Sequence, residues 1–160
     1  MHSFLKTLLV GTVLAVGGMA VASAASATDP IIGTWKLNLA KSKFSPGPAP
    51  KSHTRTYTAT ADGIDLTFDS VAADGSATNG KSSYKYDGKD YPITGSSDFD
   101  TVGLKRIDAN TVESTQKKAG KTVGTTLRTV SKDGKVMTLK LKGKNAKGEA
   151  YDNVMVFDKQ

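Results

Sequence analysis

The amino-acid sequence predicts an all-β fold, an antiparallel up-and-down meander of about ten strands that closes into a barrel or clam. Asp-Gly steps and looser turns recur about every dozen residues, and Asp-Gly supplies the positive φ angles that two-residue hairpin turns require. The runs between the turns alternate apolar and polar residues, and no segment combines helical periodicity with helix caps. A meander of this length is expected to curl and close, because closure removes its exposed edges. The Asp-Gly steps are Asp62-Gly63, Asp74-Gly75, Asp87-Gly88 and Asp133-Gly134.

The first 27 residues are predicted to be a signal peptide, which leaves residues 28–160 as one β-barrel domain. A weakly positive start is followed by an apolar run and by small-x-small cleavage sites, the second of them Ala25-Ser26-Ala27. The alternative is an uncleaved anchor over residues 7–24, which are only moderately apolar for a membrane span. A short Ala- and Ser-rich signal predicts export by a bacterium to the periplasm or the medium, with no membrane span in the mature chain.

The opening strand, residues 33–39, carries the only tryptophan of the chain and places its odd-numbered residues on one face. We expect the Trp35 indole to pack under the barrel floor and to tie the first strand to the last, near Phe157. Gly33, Trp35 and Phe157 are therefore predicted to have structural roles. The Pro-rich loop that follows, residues 41–51, fits neither a helix nor a central strand and is predicted to be an extended connection.

Nine more strands are predicted between the turns. Pro92 cannot donate a hydrogen bond to a ladder, so its strand is expected to be short or to border a gap in the barrel. The predicted strands after the first are 52–61, 64–72, 77–86, 89–94, 101–107, 111–118, 121–131, 135–143 and 150–158.

Alternation also brings a few polar and aromatic side chains to the predicted inner face. Arg55 and Arg106 are each in phase with the apolar residues of their strands, although Arg106 has an outward position at its strand end as an alternative. An arginine inside a low-dielectric cavity needs an anionic partner, such as a ligand carboxylate. Arg128 is out of phase with Val123 and Leu127 and ranks below the other two arginines. The predicted ligand-binding residues are Arg55, Arg106, Tyr84, Tyr86 and Phe68.

Composition argues against several kinds of site. The chain has no cysteine, which excludes disulfides, a thiolate nucleophile and thiolate metal sites. Its 22 Lys+Arg exceed its 15 Asp+Glu, for a formal net charge of +7. The lysines are scattered singly, which favours a solvated surface over a polyanion site, and no specific nucleic acid is expected. No motif matches a zinc site, a phosphate loop or a dinucleotide fingerprint, so neither a metal nor a cofactor is predicted.

Catalysis has little support in the sequence. His53 is the only histidine after the predicted signal peptide, and it is predicted to be a solvated residue at a strand start. Asp98 and Asp100 flank Phe99 and are predicted to be turn residues, with acid/base work as the alternative. We expect no enzyme, and an uncharacterised hydrolase is the alternative.

The order of the motifs resembles the calycin group, which comprises lipocalins and fatty-acid-binding proteins. Gly33-Thr34-Trp35 opens the meander, and the stretch from Gly120-Lys121-Thr122 through Leu127-Arg128-Thr129-Val130 to Asp133-Gly134-Lys135 is similar to the fatty-acid-binding branch. The resemblance covers residues 32–158 and implies a barrel that holds a lipid or other small apolar ligand, often with an internal arginine. The loop at 41–51 is too short for the two helices of that branch, and its terminal Arg-x-Tyr clamp is missing. The chain also resembles exported bacterial proteins of unassigned function that begin with Gly-Thr-Trp-Lys-Leu-Asn.

Together these observations predict an exported, lipocalin-like and non-catalytic binding protein for a small apolar or amphiphilic ligand. The alternative is a basic surface-binding module for an anionic envelope polymer or a partner protein.

Overall fold

The computed structural model describes residues 29–160, so the predicted signal peptide lies outside the described residues. The chain forms ten antiparallel strands in one sheet, with a short 3₁₀ helix at Leu39–Lys41. Within residues 29–160 no helix is long and apolar enough to cross a membrane. The strands are β1 (Gly33–Leu37), β2 (Ser52–Ala59), β3 (Ile64–Val71), β4 (Ala77–Tyr84), β5 (Asp87–Pro92), β6 (Thr101–Arg106), β7 (Thr111–Lys118), β8 (Lys121–Val130), β9 (Val136–Lys144) and β10 (Ala150–Lys159).

The sheet is an up-and-down meander that closes almost completely into a barrel. Its strand order is β4-β3-β2-β1-β10-β9-β8-β7-β6-β5, so the last strand pairs with the first and the two edges are β4 and β5. This confirms the predicted fold class. Pro92 lies on β5, so the gap is beside the strand where the sequence predicts it.

The edge strand β4 contacts the end of β5 and the residues that follow it, and the hydroxyl of Ser82 donates to the carbonyl of Pro92 at 2.8 Å. The backbone N–H of Thr94 donates to the carbonyl of Lys81 at 3.0 Å. Gly95 has a φ of +78°, and a Cβ there would lie 2.6 Å from the Cα of Gly80. Only glycine tolerates both the positive φ of Gly95 and its close approach to the backbone of Gly80. Gly80 and Gly95 therefore allow β4 to contact the segment that follows β5.

The two ends of the barrel differ. The floor holds residues 29–32 and the turns that follow β2, β4, β6 and β8, and the mouth holds the Pro-rich loop and the turns that follow β3, β5, β7 and β9. Trp35 is fully buried at the floor, where its Nε1 donates to the carbonyl of Ile31 at 2.6 Å. The ammonium of Lys159 on β10 lies 5.1 Å from the indole centroid. Gly33 has a φ of +126°, and a Cβ there would lie 2.9 Å from Lys159 Cε, so the packing of β1 on β10 at this point requires glycine.

The opening strand is shorter than predicted. It ends at Leu37, and Leu39 is exposed instead of facing inward. The cause is local: the Oδ1 of Asn38 accepts a hydrogen bond from the backbone N–H of Lys41 at 3.1 Å and caps a 3₁₀ turn.

Three of the four Asp-Gly steps lie in turns between paired strands, as predicted, but Asp87-Gly88 does not. This step begins β5, and the pairing of β5 with β6 shifts register between Asp87 and Asp90. The Asp87 carboxylate accepts hydrogen bonds from the backbone N–H of Lys89 and the hydroxyl of Tyr91. Because β4 and β5 are the sheet edges, the step forms a bulge instead of a hairpin turn.

Candidate ligand-binding cavity

The barrel encloses a cavity of about 330 Å³ that opens toward the mouth. This volume falls at the low end of the roughly 300–1,000 Å³ typical of small-molecule sites. Most of the wall is apolar and comes from strands on both sides of the barrel. Its main apolar residues are Leu66, Phe68, Val102, Leu104, Leu139 and Met155.

Strand β8 contributes polar side chains to this wall. Thr126 and Arg128 are both buried and line the cavity, whereas Leu127 is 39 % exposed on the outer face. The assignment of Val123 and Leu127 to the inner face of β8, on which Arg128 ranked below the other arginines, was therefore wrong. It took its phase from the apolar Leu127, but the inward residues of β8 include Gly124 and Val130. Val130, at the end of the strand, is apolar and two residues from Arg128, so the two side chains share a face. This was the sequence signal that could have placed Arg128 inside.

Arg128 is 7 % exposed and is held by two phenol groups. Its Nη1 donates to the Tyr84 hydroxyl at 3.1 Å and its Nη2 donates to the Tyr86 hydroxyl at 2.7 Å. Burial raises the pKa of Tyr84 and of Tyr86, so both phenols are neutral at physiological pH. Within residues 29–160 no carboxylate forms an ion pair with Arg128. The guanidinium, which stays charged in proteins, thus keeps its positive charge inside the barrel.

Arg55 approaches the same region from β2. Its Nε donates to the Tyr57 hydroxyl at 2.7 Å, and its guanidinium carbon lies 5.6 Å from the Tyr57 ring centroid. The guanidinium carbon of Arg128 lies 5.5 Å from the centroid of that ring. Arg55 also lacks an ion-pair partner among the described residues. Two guanidinium groups therefore converge on one aromatic ring in the cavity wall.

The mouth carries the only carboxylate among the described wall residues, that of Asp98. Its Oδ1 accepts a hydrogen bond from the backbone N–H of Ala146 at 2.9 Å. The Oδ2 of Asp100 accepts one from the N–H of Ala119 at 3.0 Å. Both aspartates fasten the mouth segment, residues 93–100, to neighbouring turns, and neither pairs with an arginine. The prediction that they are turn residues is confirmed.

His53 lies in the cavity wall, so the prediction of a solvated histidine was wrong. Its ring stacks on Phe68 with centroids 5.7 Å apart and meets the edge of Phe157 at 5.6 Å. Burial, with a smaller effect of Arg55, lowers the pKa of His53 to about 3, so the ring is neutral at physiological pH. Its Nε2 is buried and has no hydrogen-bond partner in the part of the chain that the structure describes. The alternation that places Arg55 inward also places His53 inward. The contact between His53 and Phe157 could not be predicted from a strand pattern, because the two residues are far apart in the sequence.

The five predicted ligand-binding residues fall into two groups. Arg55, Phe68 and Tyr84 line the cavity, whereas Tyr86, which accepts a hydrogen bond from Arg128, and Arg106 are not among the wall residues. Their role as ligand contacts stays a prediction.

Arg106 takes an ion pair at the floor instead of a place in the cavity. Its Nη2 donates to the Asp29 carboxylate, and its guanidinium carbon lies 4.2 Å from the Tyr86 ring centroid. The prediction that Arg106 shares a face with Val102 and Leu104 was right. Asp29, however, precedes the first strand, and strand periodicity does not predict where such a segment lies.

Gln116 is a polar wall residue that sequence reasoning missed. It is 5 % exposed on β7 and faces the cavity beside Thr126.

No group of three or more His, Asp or Glu side chains within residues 29–160 is arranged to hold a metal ion. Neither the models of known protein families nor the curated proteins give a match to this chain.

Proposed function

We propose that the protein is an exported, calycin-like binding protein that holds a small amphiphile with an anionic head group inside its barrel. The observation that carries the proposal is the pair of cavity arginines, Arg55 and Arg128, which have no carboxylate partner among the described residues. The apolar wall suits the body of such a ligand, and the two guanidinium groups suit a carboxylate.

Neither Arg55 nor Arg128 forms an ion pair within residues 29–160. A buried cation without an anionic partner is costly, and the neutral phenols of Tyr84 and Tyr86 compensate it only in part. A carboxylate between Arg55 and Arg128 would accept charge-assisted hydrogen bonds from the N–H groups that the tyrosines leave free. Binding energy is therefore expected to come mainly from the head group.

The cavity volume limits the ligand. At about 30 Å³ for each water-sized group, 330 Å³ holds about 11 such groups. Octanoate, with about ten non-hydrogen atoms, fits this volume, and a longer chain would have to leave through the mouth. Medium-chain carboxylates are thus the ligand class that the cavity favours.

Export and the lack of catalysis belong to the same proposal. Export is supported by the predicted signal peptide over residues 1–27. The absence of catalysis is supported by the surroundings of His53, which packs between Phe68 and Phe157 and bonds to no hydroxyl or carboxylate among the described residues.

The alternative, a basic surface-binding module, is not favoured by the placement of the lysines. Lysines occur on eight of the ten strands, all except β2 and β3, so they surround the barrel instead of gathering on one face. Five basic side chains in residues 29–160 already pair with carboxylates.

Calorimetric titration of the mature protein with octanoate and with octanol tests the proposal, and an NMR titration locates the site. We expect saturable binding of octanoate, binding of octanol that is weaker by about tenfold or more, and shifts confined to cavity residues such as Tyr84 and Arg128. Equal affinities for the two compounds, no binding of octanoate, or shifts confined to surface lysines such as Lys140 would each contradict it.

A further inference from the structure

One buried acceptor in the cavity wall has no partner among the residues that the structure describes. The Nε2 of Gln116 donates to the Thr126 hydroxyl at 2.6 Å and lies 3.4 Å from the Ser114 hydroxyl. Its Oε1 is buried and accepts no hydrogen bond from any described residue. Because an unpaired buried acceptor is unfavourable, this oxygen needs a donor that residues 29–160 do not supply.

The surroundings of Gly124 fix where that oxygen lies. Gly124 pairs with Gln116 across the β7–β8 ladder, and a Cβ on Gly124 would lie 3.2 Å from Oε1. Arg128 follows four residues later on the same strand, which corresponds to about 13 Å along the barrel. The unpaired oxygen is therefore on the mouth side of the cavity, and Arg128 is on the floor side.

Among residues 29–160, His53 Nε2 is the other buried side-chain polar atom without a partner. It lies two residues from Arg55 on β2, and the Arg55 charge is close enough to lower the pKa of His53. Because β2 runs from the mouth to the floor, His53 lies nearer the mouth than Arg55. Gln116 is a polar group on the side of the cavity away from Arg128.

We propose that the ligand is a carboxylate with a hydroxyl or N–H donor at its far end, and that Gln116 Oε1 accepts the hydrogen bond from this donor. The inference rests on the proposed function, since it assumes that the carboxylate is bound by Arg55 and Arg128. A site built to bond a donor discriminates strongly against the analogue that lacks it, because the site's own polar atom then stays unpaired. Gln116 is therefore a specificity determinant, and a plain fatty acid is the poorer ligand.

The test compares octanoate with ω-hydroxyoctanoate, which differ only in the terminal hydroxyl. For the wild-type protein, calorimetry is expected to give an affinity for ω-hydroxyoctanoate about tenfold or more above that for octanoate. In Gln116→Leu the two affinities become equal. In Thr115→Val, an alteration on the outer face of the same strand, the preference persists.

The outcomes separate this inference from the proposed function. If wild-type protein binds both acids equally, the role of Gln116 is wrong while the carboxylate site stands; if it binds neither, both proposals fail. Should Gln116→Leu not fold, the side-chain NH₂ signals of Gln116 in the wild-type protein provide a second readout. They must shift with ω-hydroxyoctanoate more than with octanoate, and equal shifts would overturn the inference.

Discussion

Arg128 donates a hydrogen bond to the hydroxyl of Tyr84 at 3.1 Å in the interior of the barrel. Burial raises the pKa of Tyr84, so the acceptor is a neutral phenol and the guanidinium charge is not cancelled. A positive charge held by neutral groups costs stability in the ligand-free protein and favours an anion when one enters. The relationship therefore links the stability of the fold to its proposed function.

The buried charge of Arg128 is expected to lower the stability of the ligand-free protein. Arg128→Met should raise the free energy of unfolding of the ligand-free protein by about 1 kcal/mol, because an apolar side chain replaces a buried unpaired charge. Urea denaturation measures it, with Lys140→Met on the exposed face of β9 as a control that should change little. A loss of more than about 2 kcal/mol would mean that Arg128 stabilises the barrel through its bonds to the tyrosines.

The second prediction concerns pH. In the folded state His53 stays neutral down to its pKa of about 3, whereas in the unfolded chain it takes up a proton near pH 6.5. The unfolded state thus binds more protons between these values, and stability falls as the pH drops from 6.5 toward 3. Between pH 6.5 and 4.5 the loss from this group should be about 2 kcal/mol.

Urea denaturation at several pH values, compared with His53→Phe, isolates that contribution. The variant should lose much less stability than the wild type above pH 4.5. Parallel pH profiles for the two proteins would show that His53 is not the group responsible.

The third prediction concerns the floor. Trp35→Ala should cost about 3–5 kcal/mol of unfolding free energy, since it leaves a cavity among Ile31, Phe157 and the strands that close the barrel. Leu127→Ala, on the outer face, should cost far less and serves as the control. If Trp35→Ala denatures at the same urea concentration as the wild type, Trp35 does not hold the floor together.

The fourth prediction concerns the mouth segment. Asp98→Ala removes the hydrogen bond to Ala146 and should speed both binding and release of octanoate about tenfold, with little change in Kd. Stopped-flow or NMR exchange measurements give the rates. Asp74→Ala is the matched control, because the Asp74 carboxylate bonds only within its own turn, to Ser76. Equal rates in the two variants would show that the segment does not control access.

Most of the fold could be predicted because its determinants are local. Alternation over a few residues places ten strands within two residues of their observed ends, and Pro92 marks the gap. The errors arose where a local bond outcompetes the pattern, as at Asn38, which caps a 3₁₀ turn and exposes Leu39.

The candidate site could be predicted only in part. Arg55 follows the strand period, but Arg128 was obscured by the apolar Leu127 on the outer face. The ion pair of Arg106 with Asp29 and the contact of His53 with Phe157 join residues far apart in the sequence. Such contacts form only when the barrel closes, and the periodicity of a single sequence does not predict them.

The most direct test of an anion site inside the barrel is calorimetric titration of octanoate into a double variant, Arg55→Met with Arg128→Met. Its control is Lys140→Met with Lys121→Met, which removes the same charge from exposed positions. We predict that wild type and control bind octanoate with the same Kd, and that the double arginine variant binds at least about 100-fold more weakly. Unchanged octanoate affinity in the folded double arginine variant would contradict the account.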